Sequence, residues 1–147
     1  MKRAAVVAAL VAAVFSPPGW AAGKSNGSCY SPAAIEAAEA IRFVTDLMIV
    51  SSVCQDTVYA EFRLRNQEAI RNYQKTLVAH YRGNAGFDRW NTALANQAAQ
   101  KQSGNQLICQ QSAALLQQAK ALDQRGFRAW AAAQVASAGD RYQRCQK

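Results

Sequence analysis

The residue best suited to proton transfer near neutral pH is His80, the single histidine of this 147-residue chain. Tyr81 follows it directly, and a nearby carboxylate would complete an acid–base site for a small enzyme. No G-x-S-x-G motif is present, so no serine is nominated as a nucleophile. A histidine in the last helical turn also suits the helix dipole and can bond to the last carbonyls. We predict this structural role for His80 and keep catalysis as the alternative.

The stretch H-Y-R-G-N-A-G-F-D-R-W-N-T-A-L-A-N, residues 80–96, is predicted to connect two helices. Gly83 ends the first helix, Gly86 completes the turn, and Phe87 and Trp90 return to the core. The R-G-N-A-G segment lacks the order of a phosphate-binding loop, and no predicted strand precedes it. Nucleotide binding is therefore not expected.

The four cysteines are predicted to form two disulfides rather than a reactive or metal-binding site. Cys29, Cys54, Cys109 and Cys145 are an even set without any C-x-x-C pair. Zinc sites use ligands in close pairs, which these spacings do not provide. A cysteine nucleophile would need a free thiol beside His80, and pairing removes it. We expect no metal and no cofactor.

Basic side chains give the main binding signal, because the formal net charge is +8. Such a surface attracts anions in a salt-dependent way, although a merely soluble cationic surface is the alternative. The candidate binding residues are Arg63, Arg65, Arg71, Lys75, Arg125 and Arg128. Acidic residues spaced along the helices beside arginines are expected to be solvated, and these are Glu36, Glu39, Glu61 and Glu68.

The amino terminus is typical of a cleaved secretory signal, which we assign to residues 1–22. Lys2 and Arg3 precede an apolar run from Ala4 to Phe15, which is shorter than the roughly 20 residues of a membrane-spanning helix. A Ser-Pro-Pro-Gly break and small residues follow. A buried amino-terminal helix is the alternative. Residues 23–147 would form one domain without a membrane span, and export would separate it from nucleic acid.

Apolar residues recur every three to four positions through most of that domain, which predicts an all-α fold. Ser31 and Pro32 open a first helix, expected to be central and to end near Cys54. Further helices are predicted over residues 57–81, 87–102 and 106–124, and Gly126 either breaks the last one or only weakens it before Val135. The expected architecture is an antiparallel bundle of four to five helices.

Antiparallel packing selects one of the three possible cysteine pairings. Cys54 ends helix one, and Cys109 begins helix four at the same end of the bundle. Cys29 precedes helix one at the other end, to which the tail carrying Cys145 returns. We therefore predict the pairs Cys54–Cys109 and Cys29–Cys145, each worth about 4 to 5 kcal/mol as an upper estimate from loop entropy.

Four short segments carry a resemblance to a group of known proteins. These are R-F-V-T-D-L-M-I-V-S-S-V-C, Y-A-E-F, N-T-A-L-A-N and I-C, and the likeness spans about residues 35–110. The chain resembles small exported helical proteins of proteobacteria without an assigned activity. The resemblance implies a periplasmic or secreted, disulfide-bonded helical protein and transfers no catalytic residue.

Together these features predict an exported, non-enzymatic envelope protein that binds an anionic envelope component or a protein partner. They do not fix the oligomeric state. A carrier of an apolar ligand is a further alternative, and its bundle interior would be lined by Leu47, Met48, Phe62, Trp90 and Trp130.

Overall fold

A computed structural model describes residues 29–146, so the predicted signal peptide lies outside the described residues. This part of the chain is all-helical, as the sequence predicted. Its seven α-helices and one 3-10 helix are α1 (Pro32–Cys54), α2 (Val58–Arg65), α3 (Gln67–His80), α4 (Asn84–Gln102), α5 (Ile108–Gln111), α6 (Ala113–Ala121), α7 (Gln124–Ser137) and the 3-10 helix Gly139–Arg141.

Helix α1 is the centre of the fold, as predicted, because every other α-helix packs against it. The Ser31 hydroxyl accepts a hydrogen bond from the Ala34 amide at 3.1 Å, and Pro32 occupies the first turn. Beyond Cys54 the chain turns at Gln55, whose φ of 54° is left-handed. Thirteen residues of this helix are buried, on more than one side of its axis.

The predicted helix over residues 57–81 is two helices, α2 and α3, separated at Asn66. The Asn66 side chain is fully buried, and its amide nitrogen donates to the carbonyls of Phe62 at 3.0 Å and Leu122 at 3.2 Å. Asparagine side chains compete with the backbone for hydrogen bonds, which disfavours uninterrupted helix. Sequence periodicity alone did not reveal this break.

The predicted fourth helix is also divided, because α5 ends and α6 begins on either side of Ser112. Gly126 does not break a helix: it lies in the first turn of α7. The Gly126 amide donates to the Asp123 carboxylate at 2.7 Å, which makes Asp123 the amino-terminal cap. Helix α4 begins at Asn84, three residues before its predicted start.

The connection between α3 and α4 is a tight turn, as we predicted from the sequence of residues 80–96. Arg82 and Gly83 have φ values of 59° and 133°, and the Gly83 amide donates to the Val78 carbonyl at 2.8 Å. Gly86 faces the Tyr81 backbone so closely that a Cβ atom would lie 2.4 Å from the Tyr81 carbonyl oxygen. The turn therefore depends on glycine at position 86.

Aromatic rings join α1, α2, α3 and α7 in the core. Phe62 and Phe127 are fully buried and meet edge to face, with their centroids 5.0 Å apart. Phe43 lies 5.5 Å from Phe62 and 4.6 Å from Trp130, and the Tyr73 ring lies 5.8 Å from Phe127. This cluster fixes α7 against α1, which positions the surfaces described below.

Both predicted disulfides are present and use all four cysteines. Cys54–Cys109 joins the end of α1 to α5, and Cys29–Cys145 joins the two ends of the described chain. Backbone hydrogen bonds of Tyr30 flank the second bridge, to Gln143 at 2.8 Å and Cys145 at 3.1 Å. Within residues 29–146, no helix combines the length and apolar character needed to cross a membrane.

Candidate functional site

His80 occupies the last turn of α3, where the sequence placed it. The neighbouring carbonyls of Leu77, Val78 and Ala79 accept backbone amides of the following turn. The His80 ring lies 4.1 Å from the Tyr30 ring, between centroids. Burial lowers the pKa of His80 below 6.5, because desolvation disfavours the charged imidazolium.

Tyr81 packs with its centroid 4.8 Å from that of His80, so the structure brings together this predicted pair. The Tyr81 and Tyr30 hydroxyls share a hydrogen bond, and Trp90 stacks on Tyr81 with centroids 5.6 Å apart. Burial, followed by the bond to Tyr30, raises the pKa of Tyr81. Both His80 and Tyr81 are therefore neutral at pH 7, in an environment of aromatic rings.

Two of the predicted binding residues make contacts within the protein. The Arg65 guanidinium donates to the Ala119 carbonyl at 3.0 Å, at the end of α6. The Arg128 guanidinium lies 3.4 Å from the Glu68 carboxylate, linking α7 to α3 on the exposed surface. These contacts tie helices together, and an exposed pair such as the second contributes little to stability.

The other four predicted cations are exposed on three helices. Arg63 lies on α2 and Arg125 on α7, away from any described groove. Arg71 and Lys75 lie one helical turn apart on α3 and line a groove of about 480 Å³ between α3 and α4. Of the six predicted binding residues, only Arg71 and Lys75 line the same concave surface of residues 29–146.

The floor of the α3–α4 groove is apolar. Val78 and Ala79 come from α3, and Phe87 comes from the first turn of α4. Phe87 is buried and Val78 is half-buried, so the groove exposes the edge of the core. Asp88 is the carboxylate among its lining residues. The groove can therefore hold an apolar chain next to two cations.

A second concave surface was not predicted. A cleft of about 270 Å³ lies between α1, the end of α4, α7 and the C-terminal segment. Its charged lining residues are Glu39, Arg42, Asp46, Lys101 and Arg141, and its aromatic ones are Phe43 and Trp130. We call this surface the α1–α7 cleft.

Glu39 corrects an expectation, because it was predicted to be solvated and is only 8% exposed. Its Oε1 atom accepts hydrogen bonds from the Arg141 guanidinium and the Tyr142 hydroxyl, both at 2.6 Å. The Arg42 Nε atom lies 3.9 Å from Glu39 and donates to the Tyr142 hydroxyl at 2.9 Å. Burial raises the pKa of Tyr142 to about 12, so this hydroxyl remains a donor at neutral pH.

The sequence signal for this buried carboxylate is indirect. Glu39 has charged neighbours at helical spacing, as a solvated residue would have. The residues that bond to it, Arg141 and Tyr142, lie close in the sequence to Cys145, which the disulfide joins to Cys29 just before α1. The predicted Cys29–Cys145 pairing brings the basic C-terminal tail to the beginning of helix one. That placement could have suggested that a carboxylate of helix one binds an arginine of the tail.

Asp46 is half-buried in the same cleft. Burial raises its pKa above 3.8, and the charges of Lys101 and Arg42 oppose that shift. Among residues 29–146, no side chain lies within hydrogen-bond or ion-pair distance of its carboxylate. The cleft thus contains a desolvated carboxylate that lacks a direct partner within the described chain.

Other possible sites are limited in the described part of the chain. Residues 29–146 contain no group of three or more His, Cys, Asp or Glu placed to hold a metal ion. No protein-family model, curated protein or solved structure matches this chain. The α3–α4 groove and the α1–α7 cleft are the two concave surfaces that we consider as candidate sites.

Proposed function

We propose that this chain is an exported, non-enzymatic envelope protein that binds an anionic lipid surface through the α3–α4 groove. Its disulfides fit an extracellular or periplasmic protein, because such bonds persist in oxidising compartments. The proposal includes removal of residues 1–22 as a signal peptide, a relationship to small exported proteobacterial proteins, and antiparallel packing of the helices.

One observation carries the proposal: Arg71 and Lys75 border a groove whose floor is formed by Val78, Ala79 and Phe87. Each cation near an anionic membrane contributes about 1 kcal/mol to binding. The apolar floor adds favourable burial for an acyl chain or for part of the lipid interface. An anionic amphiphile satisfies both features, whereas a purely polar anion uses only the cations.

Vesicle co-sedimentation of the oxidised protein tests this proposal. Vesicles of phosphatidylglycerol and phosphatidylcholine are compared with vesicles of phosphatidylcholine alone. We expect binding to the anionic vesicles that weakens as the salt concentration rises from about 0.05 M to about 0.5 M, because salt screens exposed charges. Replacing Arg71→Gln and Lys75→Gln together should reduce the affinity about 30-fold, from two lost charge contacts.

The matched control replaces Arg63→Gln and Arg125→Gln, which removes the same charge from positions outside the groove. We expect a reduction of about threefold or less, because only long-range attraction changes. Equal losses in the two double variants would contradict a specific groove and leave diffuse charge as the cause. Absence of vesicle binding, or equal binding to neutral vesicles, would overturn the proposal.

A further inference from the structure

We propose that the α1–α7 cleft binds a small zwitterion the size of a free amino acid, with its ammonium group at Asp46 and its carboxylate at Lys101 and Arg42. This inference goes beyond the lipid-binding function and uses different residues. Either proposal can therefore fail without the other.

The size of the cleft limits the ligand. Its volume of about 270 Å³ lies just below the range of typical ligand pockets, which begins near 300 Å³. One small molecule fits such a space. Trp130 is half-buried on its wall and packs against Phe43, with centroids 4.6 Å apart. This wall gives an apolar contact for one side of the ligand.

Some charged groups of the cleft are already bonded within the protein, and others could bind a ligand. Glu39 and Arg141 neutralise each other through a hydrogen bond of 2.6 Å. Arg42 is anchored through its Nε atom to Tyr142, so its terminal nitrogens remain for a ligand. Lys101, in the last turn of α4, has no ion pair within the described chain. Two cations and the Asp46 carboxylate therefore remain available.

This remaining set is complementary to a zwitterion. A carboxylate suits the fork of the Arg42 guanidinium together with the Lys101 ammonium. An ammonium group suits Asp46, which is half-buried and lacks a direct partner among residues 29–146. A polycation would be repelled by Arg42 and Lys101, and a dianion would place negative charge beside Asp46.

The cleft is also held in shape before any ligand arrives. Glu39 is more than nine-tenths buried and binds Arg141 and Tyr142, and Tyr142 in turn orients Arg42. The Cys29–Cys145 bridge holds the segment that supplies Arg141. A preorganised site loses less conformational entropy on binding, which favours recognition of a small molecule.

Isothermal titration calorimetry of the oxidised protein tests the inference, with leucine as the probe. N-acetyl-leucine lacks the ammonium group, and leucinamide lacks the carboxylate. We expect leucine to bind and each derivative to bind about 10-fold or more weakly, because each loses a charge-assisted hydrogen bond. Binding of either derivative as tightly as leucine would overturn the zwitterion assignment.

Single substitutions test whether leucine binds in the α1–α7 cleft. Asp46→Asn and Lys101→Gln should each weaken leucine binding about 10-fold or more. Glu61→Gln, which removes an exposed carboxylate on α2 that lines neither concave surface, serves as the control and should leave the affinity unchanged. Circular dichroism checks that every variant is folded, and the exposed Lys101 provides a test that does not depend on the core. No detectable heat with leucine up to about 10 mM would also overturn the inference.

Discussion

Glu39 and Asp46 lie two helical turns apart on α1, yet their surroundings differ. Glu39 is buried and receives hydrogen bonds from Arg141 and Tyr142. Asp46 is half-buried and receives none from residues 29–146. A carboxylate that loses water without gaining a direct partner reduces the stability of the folded state when it is ionised. Such a cost is expected where a side chain is reserved for a ligand.

Asp46→Asn is therefore predicted to stabilise the protein at neutral pH. Because burial raises the folded-state pKa of Asp46, its favourable contribution is complete below pH 3.8 and is lost as the pH rises through the raised pKa. The urea midpoint of the variant, relative to that of the wild type, should be higher at pH 7 than at pH 3. An Asp88→Asn variant controls for the loss of one negative charge.

The opposite result would contradict this account of Asp46. A variant whose stability relative to the wild type is the same at both pH values would show that folding does not change the pKa. A variant that is less stable at pH 7 would show that the ionised carboxylate has a favourable partner.

Helix positions follow from periodicity and capping, whereas the breaks between helices depend on long-range contacts. Ser31 and Pro32 marked the start of α1 because their effects on a helix are local. Asn66 divides α2 from α3 through a hydrogen bond to Leu122, 56 residues later, which periodicity cannot register. The groove has the same basis: Arg71 and Lys75 were identified from charge, but their apolar neighbour Phe87 belongs to another helix.

The α3–α4 turn depends on the close approach of Gly86 to the Tyr81 backbone. Gly86→Ala would place a Cβ atom 2.4 Å from the Tyr81 carbonyl oxygen, which backbone movement must relieve. Such overpacking costs about 1 to 3 kcal/mol of unfolding free energy, measurable by urea denaturation. Gly126→Ala is the comparison, since its nearest neighbour would be the Asp123 carboxylate at 3.2 Å, a smaller encroachment than the one at Gly86. Equal stability of the two variants would contradict the close approach.

Across the whole molecule, the disulfides join segments that are distant in the sequence. Cys29–Cys145 spans 116 positions and Cys54–Cys109 spans 55. Cys145 lies beside the backbone hydrogen bonds of Tyr30 and near Arg141, which binds Glu39 in the α1–α7 cleft. This bridge therefore supports both the end of the fold and one of its two candidate surfaces.

Removing both cysteines of one bridge tests their contribution. Cys54→Ser with Cys109→Ser, or Cys29→Ser with Cys145→Ser, should each lower the unfolding free energy by about 2 to 5 kcal/mol. Urea denaturation measures the loss, with dithiothreitol treatment of the wild type as a check on both bridges together. Unchanged midpoints after verified reduction would contradict a stabilising role for the disulfides.

Nuclear magnetic resonance of the oxidised, isotope-labelled protein locates the lipid contact most directly. Amide shifts are recorded as nanodiscs containing phosphatidylglycerol are added, with neutral nanodiscs as the reference. We expect the largest changes within residues 71–79 and 84–88, which include the residues that line the α3–α4 groove. Changes spread evenly over all basic residues, or absent from the groove, would contradict lipid binding at the α3–α4 groove.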